Sequence, residues 1–236
     1  MVFLFHRQRT CFAWNLSLAL LLLFALLLMG CGEPASPSPQ KSNTPTPSVT
    51  ITPRPGQIRE FRTIDVLNGL TAGPDGAIWF TEEYVSKIGR ITSQEEIATF
   101  EIPTSHSVPK GITAGPDGSI WFTELAMNKI GRITVQGKIT EFTIPTPDSF
   151  PEAITTGSDG ALWFTEFLGN KIGRITVQGK ISEFTIPTPE SSPRGITAGP
   201  DGMIWFVESK KNKIGRITSQ GQVSEFTVPT PKGYPM

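Results

Sequence analysis

The sequence predicts an all-β protein, a β-propeller of four-stranded antiparallel blades. Three observations predict it. Trp79, Trp121, Trp163 and Trp205 each open a Trp-Phe pair and stand 42 residues apart. Arg90, Arg132, Arg174 and Arg216 keep the same interval. Each copy divides into four short apolar and β-branched runs separated by Gly, Pro, Asn and Asp turns, with no helix-length segment. A repeat of about 40–50 residues holding four strands is the pattern of a propeller blade.

The copy over 111–145 shows the logic. Gly-Ile-Thr-Ala-Gly (111–115) is a first strand of small residues, suited to the crowded wall of a central channel. Pro116-Asp117-Gly118 is a turn, because proline presets φ and glycine accepts a positive φ. Ser-Ile-Trp-Phe-Thr-Glu (119–124) is an aromatic and β-branched second strand. Residues 125–128 turn, Lys-Ile-Gly-Arg-Ile-Thr (129–134) is the third strand, and 135–137 turn again. Lys-Ile-Thr-Glu-Phe-Thr-Ile (138–144) alternates apolar and polar residues as an outer strand, and Pro145-Thr146-Pro147 opens the crossover to the next copy. Four such blades are expected at about 69–103, 111–145, 153–187 and 195–229, with one further outer-type strand at 57–63. That strand is one too many for a self-closed ring of four. Met236 falls at a blade junction, so an open, incomplete ring is expected, with unpaired blade faces available for self-association.

Residues 1–56 read differently. Arg7 and Arg9 precede a leucine-rich run at 16–29, which has the layout of a signal peptide. Leu28-Met29-Gly30-Cys31 has the form of a bacterial lipobox, which makes Cys31 the expected first mature residue and lipidation site within a 1–31 signal segment. Residues 32–56 are rich in Pro, Ser and Thr and cannot bury a core, so they are expected to tether the 57–236 repeats. The expected location is extracytoplasmic, on the bacterial cell membrane through the lipid anchor.

Composition excludes several classes. With 21 basic and 21 acidic residues the net charge is zero, and no basic patch offers a grip on nucleic acid. Cys11 and Cys31 are the only cysteines, so the repeats hold no disulfide and no thiolate.

What recurs in every copy builds the blade, so function is expected where the copies differ. Glu82, Glu124, Glu166 and Glu208 recur, and the expectation is that they pair with the recurring arginines and do not form a metal ring. Asp75, Asp117, Asp159 and Asp201 are expected to bond their own turn backbone. The variable slot before the inner strand holds Asn68, Lys110, Glu152 and Arg194. These residues are expected to ring one channel mouth and to bind a small molecule or peptide, with His106 on a nearby crossover and Phe150, Tyr84 and Tyr234 on further loops.

The units Gly-Ile-Thr-Ala-Gly-Pro-Asp-Gly-x-Ile-Trp-Phe-Thr-Glu, Asn-Lys-Ile-Gly-Arg-Ile-Thr and Glu-Phe-Thr-Ile-Pro-Thr-Pro resemble the virginiamycin B lyase (streptogramin lyase) family over 57–236. The resemblance implies a seven-bladed propeller that opens the ester of streptogramin B depsipeptides by elimination with a divalent cation, usually Mg²⁺. It also implies catalytic histidines just after the crossover proline. Here that slot holds Asn68, Lys110, Glu152, Arg194 and Met236, so no catalytic residue carries over. The competing expectation is a membrane-tethered binding or scaffold propeller without catalysis.

Overall fold

The computed structural model describes Glu60 and residues 65–229. The 57–63 strand (Glu60 apart), the signal and linker segments, Cys31, Tyr234 and Met236 lie outside the described residues. The described chain forms sixteen strands and no helix. Blade I is β1 (Leu67–Ala72), β2 (Ile78–Glu82), β3 (Lys87–Ile91) and β4 (Ile97–Glu101). Blade II is β5 (Pro109–Ala114), β6 (Ile120–Glu124), β7 (Lys129–Ile133) and β8 (Ile139–Thr143). Blade III is β9 (Pro151–Thr156), β10 (Leu162–Glu166), β11 (Lys171–Ile175) and β12 (Ile181–Thr185). Blade IV is β13 (Pro193–Ala198), β14 (Ile204–Glu208), β15 (Lys213–Ile217) and β16 (Val223–Thr227). Each blade is an antiparallel meander in chain order.

The inner strands begin two residues earlier than the glycine and alanine positions suggest. Pro109 faces Glu124 across a bulge that ends at Ile112. A bulge admits a proline, which has no N–H for the ladder. As a result Asn68, Lys110, Glu152 and Arg194 are the second residues of β1, β5, β9 and β13, within the inner strands and not ahead of them.

Blades pack face to face. Trp79 and Ile88 of blade I bury against Ile120, Phe122 and Ile133 of blade II, and the next two junctions repeat this. Within each blade the tryptophan stacks on the outer-strand phenylalanine, as in Trp121–Phe142 at 5.6 Å. That phenylalanine also reaches the next blade, where its ring lies on a turn glycine. A Cβ at Gly137 would meet Phe100 Cε1 at 2.4 Å, and Gly137 adopts φ +88°. Glycine is required there twice over, by the close approach and by the left-handed backbone.

The inner strands β1, β5, β9 and β13 lie side by side in sequence, and β13 has no comparable packing against β1. Among the described residues the two outer blade faces are consequently uncovered. Leu70 is 73% exposed on one, and Phe226 is 44% exposed beside a half-exposed Trp205 on the other. Blade I also departs from the repeat. Glu95, at φ 68°, stands where blades II to IV have glycine, and Thr99 stands where they have Glu141, Glu183 and Glu225.

Candidate functional site

The recurring residues frame the inner strands that carry the variable positions. At each turn before the second strand, aspartate organises the blade's other end. Asp159 Oδ1 accepts from Trp163 Nε1 at 3.1 Å and from the Ala161 N–H at 3.2 Å, and Oδ2 accepts from Arg174 Nε at 2.7 Å. The backbone bond is the expected one. Burial alone would raise the Asp159 carboxyl, but the bonds from Arg174, Trp163 and Ala161 outweigh it and hold it below its ordinary value. The arginine then lies over the tryptophan ring, 5.7 Å from its centroid for Arg174.

The expected Glu–Arg pairing is therefore not found. In the β10–β11 register Trp163 faces Arg174 while Glu166 faces Lys171. Glu166 thus sits three residues further along the strand, about 10 Å from the arginine's end. Its nearest acid is Glu183 of the outer strand. Among the described residues the buried oxygens of Glu124 and Glu166 have no donor in hydrogen-bonding geometry, and the Ser149 hydroxyl only weakly favours the ionised form of Glu166. A carboxyl in that position keeps its proton and donates a hydrogen bond through it to the neighbouring carboxylate. Burial first, and then the charge of Glu141 or Glu183, pushes Glu124 and Glu166 each up to about 8. Glu208 rises less, to about 6. Burial and Glu225 raise it, while the Ser191 hydroxyl 2.7 Å from its Oε2 opposes them.

The acceptor of each pair is the point where a crossover is clamped. The Thr146 N–H donates to Glu183 Oε1 at 2.9 Å, and Lys171 Nζ donates to the Thr146 hydroxyl. Burial opposes ionisation of Glu183, but the Thr146 bonds and Lys171 hold it below its ordinary value. Asn128 completes the clamp. Its Nδ2 donates to the carbonyls of Ile144 and Thr146, and its Oδ1 accepts from Ser149 N–H at 3.0 Å. Asn170 repeats this toward Ile186, Thr188 and Ser191. Sequence reasoning did not assign these asparagines. Their signal was present: one offset, directly before Lys-Ile-Gly-Arg-Ile, in three copies, with Ser86 in the fourth.

Threonine hydroxyls fix the mouth residues themselves. Thr81, Thr123 and Thr165 donate to the carbonyls of Lys110, Glu152 and Arg194 of the following blade at 3.0, 3.0 and 2.9 Å. Each also accepts from the inner strand of its own blade, as Ala153 N–H does to Thr165 Oγ1 at 3.1 Å. Blade IV has Val207 at this position. The crowding expected of the inner wall is present. A Cβ on Gly111 would stand 2.8 Å from the Glu152 carbonyl oxygen.

Of the variable positions, Glu152 and Arg194 meet in an ion pair at 2.9 Å. Asn68 Nδ2 donates instead to Glu83 Oε2 at 2.7 Å. Lys110 holds the corresponding place on β5 between them. His106 does not join the pair. It lies in a shallow cleft with Tyr84, Ser86 and Glu101, on a left-handed residue of the blade I–II crossover. Phe150 is likewise left-handed, on the next crossover. Among the described residues no three His, Cys, Asp or Glu side chains are gathered to hold a metal.

The four antiparallel four-stranded sheets define a partial β-propeller among the described residues. The chain matches the virginiamycin B lyase family over residues 51–236 and belongs to that family. It is similar to the crystal structure of virginiamycin B lyase from Staphylococcus aureus at 54% identity and a TM-score of 0.71. That match covers 72% of this chain and 58% of the other. A catalytically inactive histidine-to-alanine form of the S. aureus enzyme, crystallised with quinupristin, matches equally. A streptogramin B lyase structure matches at 47% identity with a TM-score of 0.70, covering 72% of this chain and 57% of the other. The chain therefore spans less than two thirds of the length of these relatives. No match is found among curated proteins.

Proposed function

We propose that this chain is a ligand-holding part of a streptogramin-lyase-type propeller, which takes a cyclic depsipeptide at the inner-strand mouth and does not by itself eliminate the ester. The observation that carries this reading is the occupancy of one slot. The residues after each crossover proline are Lys110, Glu152 and Arg194, with Asn68 in blade I, and none is histidine. Elimination needs a base for the proton beside the carbonyl and a donor or cation for the enolate. The buried Glu124 and Glu166 carboxyls hold their protons and face Glu141 and Glu183. His106 lies on a crossover apart from the Glu152–Arg194 pair. Family membership and the quinupristin-bound relative support the class of ligand.

The reading includes a tether. The lipobox pattern ending at Cys31 and the Pro/Ser/Thr-rich 32–56 segment favour an extracytoplasmic domain anchored by lipid at Cys31. No helix of the described residues is long and apolar enough to cross a membrane.

The test is titration of the purified full chain with quinupristin, with and without Mg²⁺. Calorimetry reads binding. Ring opening by elimination leaves the mass unchanged, so chromatography and the new vinyl proton signal read reaction. Saturable binding without opened product is expected. Opened product, or no binding, overturns the proposal.

A further inference from the structure

Three residues that the repeat does not require come together beside the mouth. Phe167 starts the β10–β11 turn, where the other copies have Glu83, Leu125 and Ser209. Arg194 is the second residue of β13. Lys210 lies in the β14–β15 turn, where the other copies have Tyr84, Ala126 and Leu168. The Arg194 Cζ stands 4.6 Å from the Phe167 ring centroid, and Lys210 Nζ stands 5.8 Å from the same centroid. Two cations are thus drawn to one aromatic ring at the junction of blades III and IV.

The charge around them is uneven. Glu152 neutralises Arg194 at 2.9 Å, and Glu190 lies 3.9 Å from the adjacent Lys211. No acid is bonded to Lys210 among the described residues. The guanidinium has five N–H donors, and among the described residues it donates only to Glu152. Its side chain is 43% exposed, so the other donors are open to a ligand. The Phe167 ring and the Glu152 carboxylate both contact the guanidinium, whose planar fork suits a planar, bidentate acceptor. Apolar surface adjoins it, since Phe167 is only half-buried and Leu168 beside it is 54% exposed.

We propose that Arg194, Phe167 and Lys210 form a binding site for a carboxylate carried beside an aromatic or branched apolar group, as at the free C-terminal end of a peptide. The carboxylate lies on the guanidinium fork, Lys210 supplies the second charge, and the ligand's apolar group covers Phe167 and Leu168. The proposal rests on the ligand-holding reading only for its place at the mouth.

The experiment titrates the full chain with hippurate and with its neutral amide, hippuramide, by NMR at low salt. Hippurate should shift resonances of the blade III–IV turns with saturation, and hippuramide should not compete. Charge-assisted bonds of this kind correspond to a loss of about tenfold or more in affinity for Arg194→Met, and Lys210→Met should cost about threefold. Lys210→Met alters an exposed turn side chain and keeps the test open if the Arg194 variant melts early. Failure of hippurate to bind, equal binding of hippuramide, or unchanged affinity in both variants overturns the proposal. Hippurate binding without quinupristin binding sinks the earlier reading alone, and the reverse result sinks only this one.

Discussion

Thr165 donates its hydroxyl proton to the carbonyl oxygen of Arg194, 2.9 Å away across the junction of blades III and IV. The same hydroxyl accepts from Ala153 N–H. One fully buried side chain therefore joins two inner strands and sets the position of a mouth residue. Val207 shows that the repeat tolerates a β-branched apolar residue of this size at the equivalent place. Thr165→Val should destabilise the chain by about 1 kcal/mol, because it leaves a partly buried carbonyl and a partly buried N–H without their partner. It should also weaken ligand binding through displacement of Arg194. Urea unfolding and titration read the two effects, and an unchanged midpoint would count against the stitch.

The carboxyl pairs make an unusual pH dependence. The Glu166 carboxyl is raised from 4.5 to about 8 by burial and then by Glu183. The folded state keeps a proton that the unfolded chain gives up, so this contribution is complete below about pH 4.5 and is lost as the pH rises through about 8. Asp159 and Glu183, held low, act oppositely and lose their contributions as the pH falls through their folded values. Stability should therefore be greatest in mildly acidic solution and decline toward pH 9. Glu166→Gln replaces the shared proton with an amide donor and should flatten the alkaline decline in a series of thermal melts. A wild-type melting temperature that holds level from pH 5 to 9 would refute the shared proton.

The tryptophans should not be equivalent. Trp163 is buried between blades III and IV, whereas Trp205 lies on the uncovered face of blade IV. Trp163→Ala should cost about 3–5 kcal/mol and Trp205→Ala distinctly less. Acrylamide quenching should likewise find one accessible tryptophan among the four of the blades. Equal costs would mean that the blade IV face is covered in solution.

Gly131 carries the Phe122 ring. An added Cβ would fall 2.1 Å from Phe122 Cζ, and Phe122 is fully buried. Gly131→Ala should destabilise by about 1–3 kcal/mol or more, since the ring has no room to withdraw. A chemical denaturation midpoint equal to that of the wild type would show that the junction yields.

The unpaired blade faces expected from the sequence would associate through blade IV of one copy on blade I of another. Blade I is poorly matched to this contact. Glu95 occupies the place where Gly137 receives Phe100, and Thr99 lacks the carboxylate that clamps a crossover threonine. Glu95→Gly combined with Thr99→Glu should strengthen concentration-dependent association in sedimentation velocity. No change would mean that association does not use this pair of faces.

Much of the blade was readable before any coordinates. Turn glycines, the proline-aspartate turns and the 42-residue interval of Trp and Arg each reflect a local requirement, of φ, of hydrogen bonding or of alternation, that adjacent residues satisfy alone. Asp159 bonding its own turn is such a case. Glu166 is not. Opposite charge suggested arginine, but register puts Glu166 and Arg174 at different ends of their strands and brings two acids together. Likewise the variable slot was visible as a set of positions, while its content was not. That Asn68 turns to Glu83 depends on how strands of one blade pair, and that Glu152 and Arg194 pair and that Phe167 and Lys210 gather at Arg194 depends on contacts between blades.

The sequence by itself determined the blade, the repeat count and the family, because these rest on interactions within one 42-residue unit that recur in every copy. Only the tertiary structure decided which charges meet, which proton is shared and where the mouth gathers its variable side chains. The shared proton follows from strand register inside a blade, which places Glu166 of β10 beside Glu183 of β12, and the ion pair and the Phe167 cluster follow from the junctions between blades, where residues far apart in the chain meet.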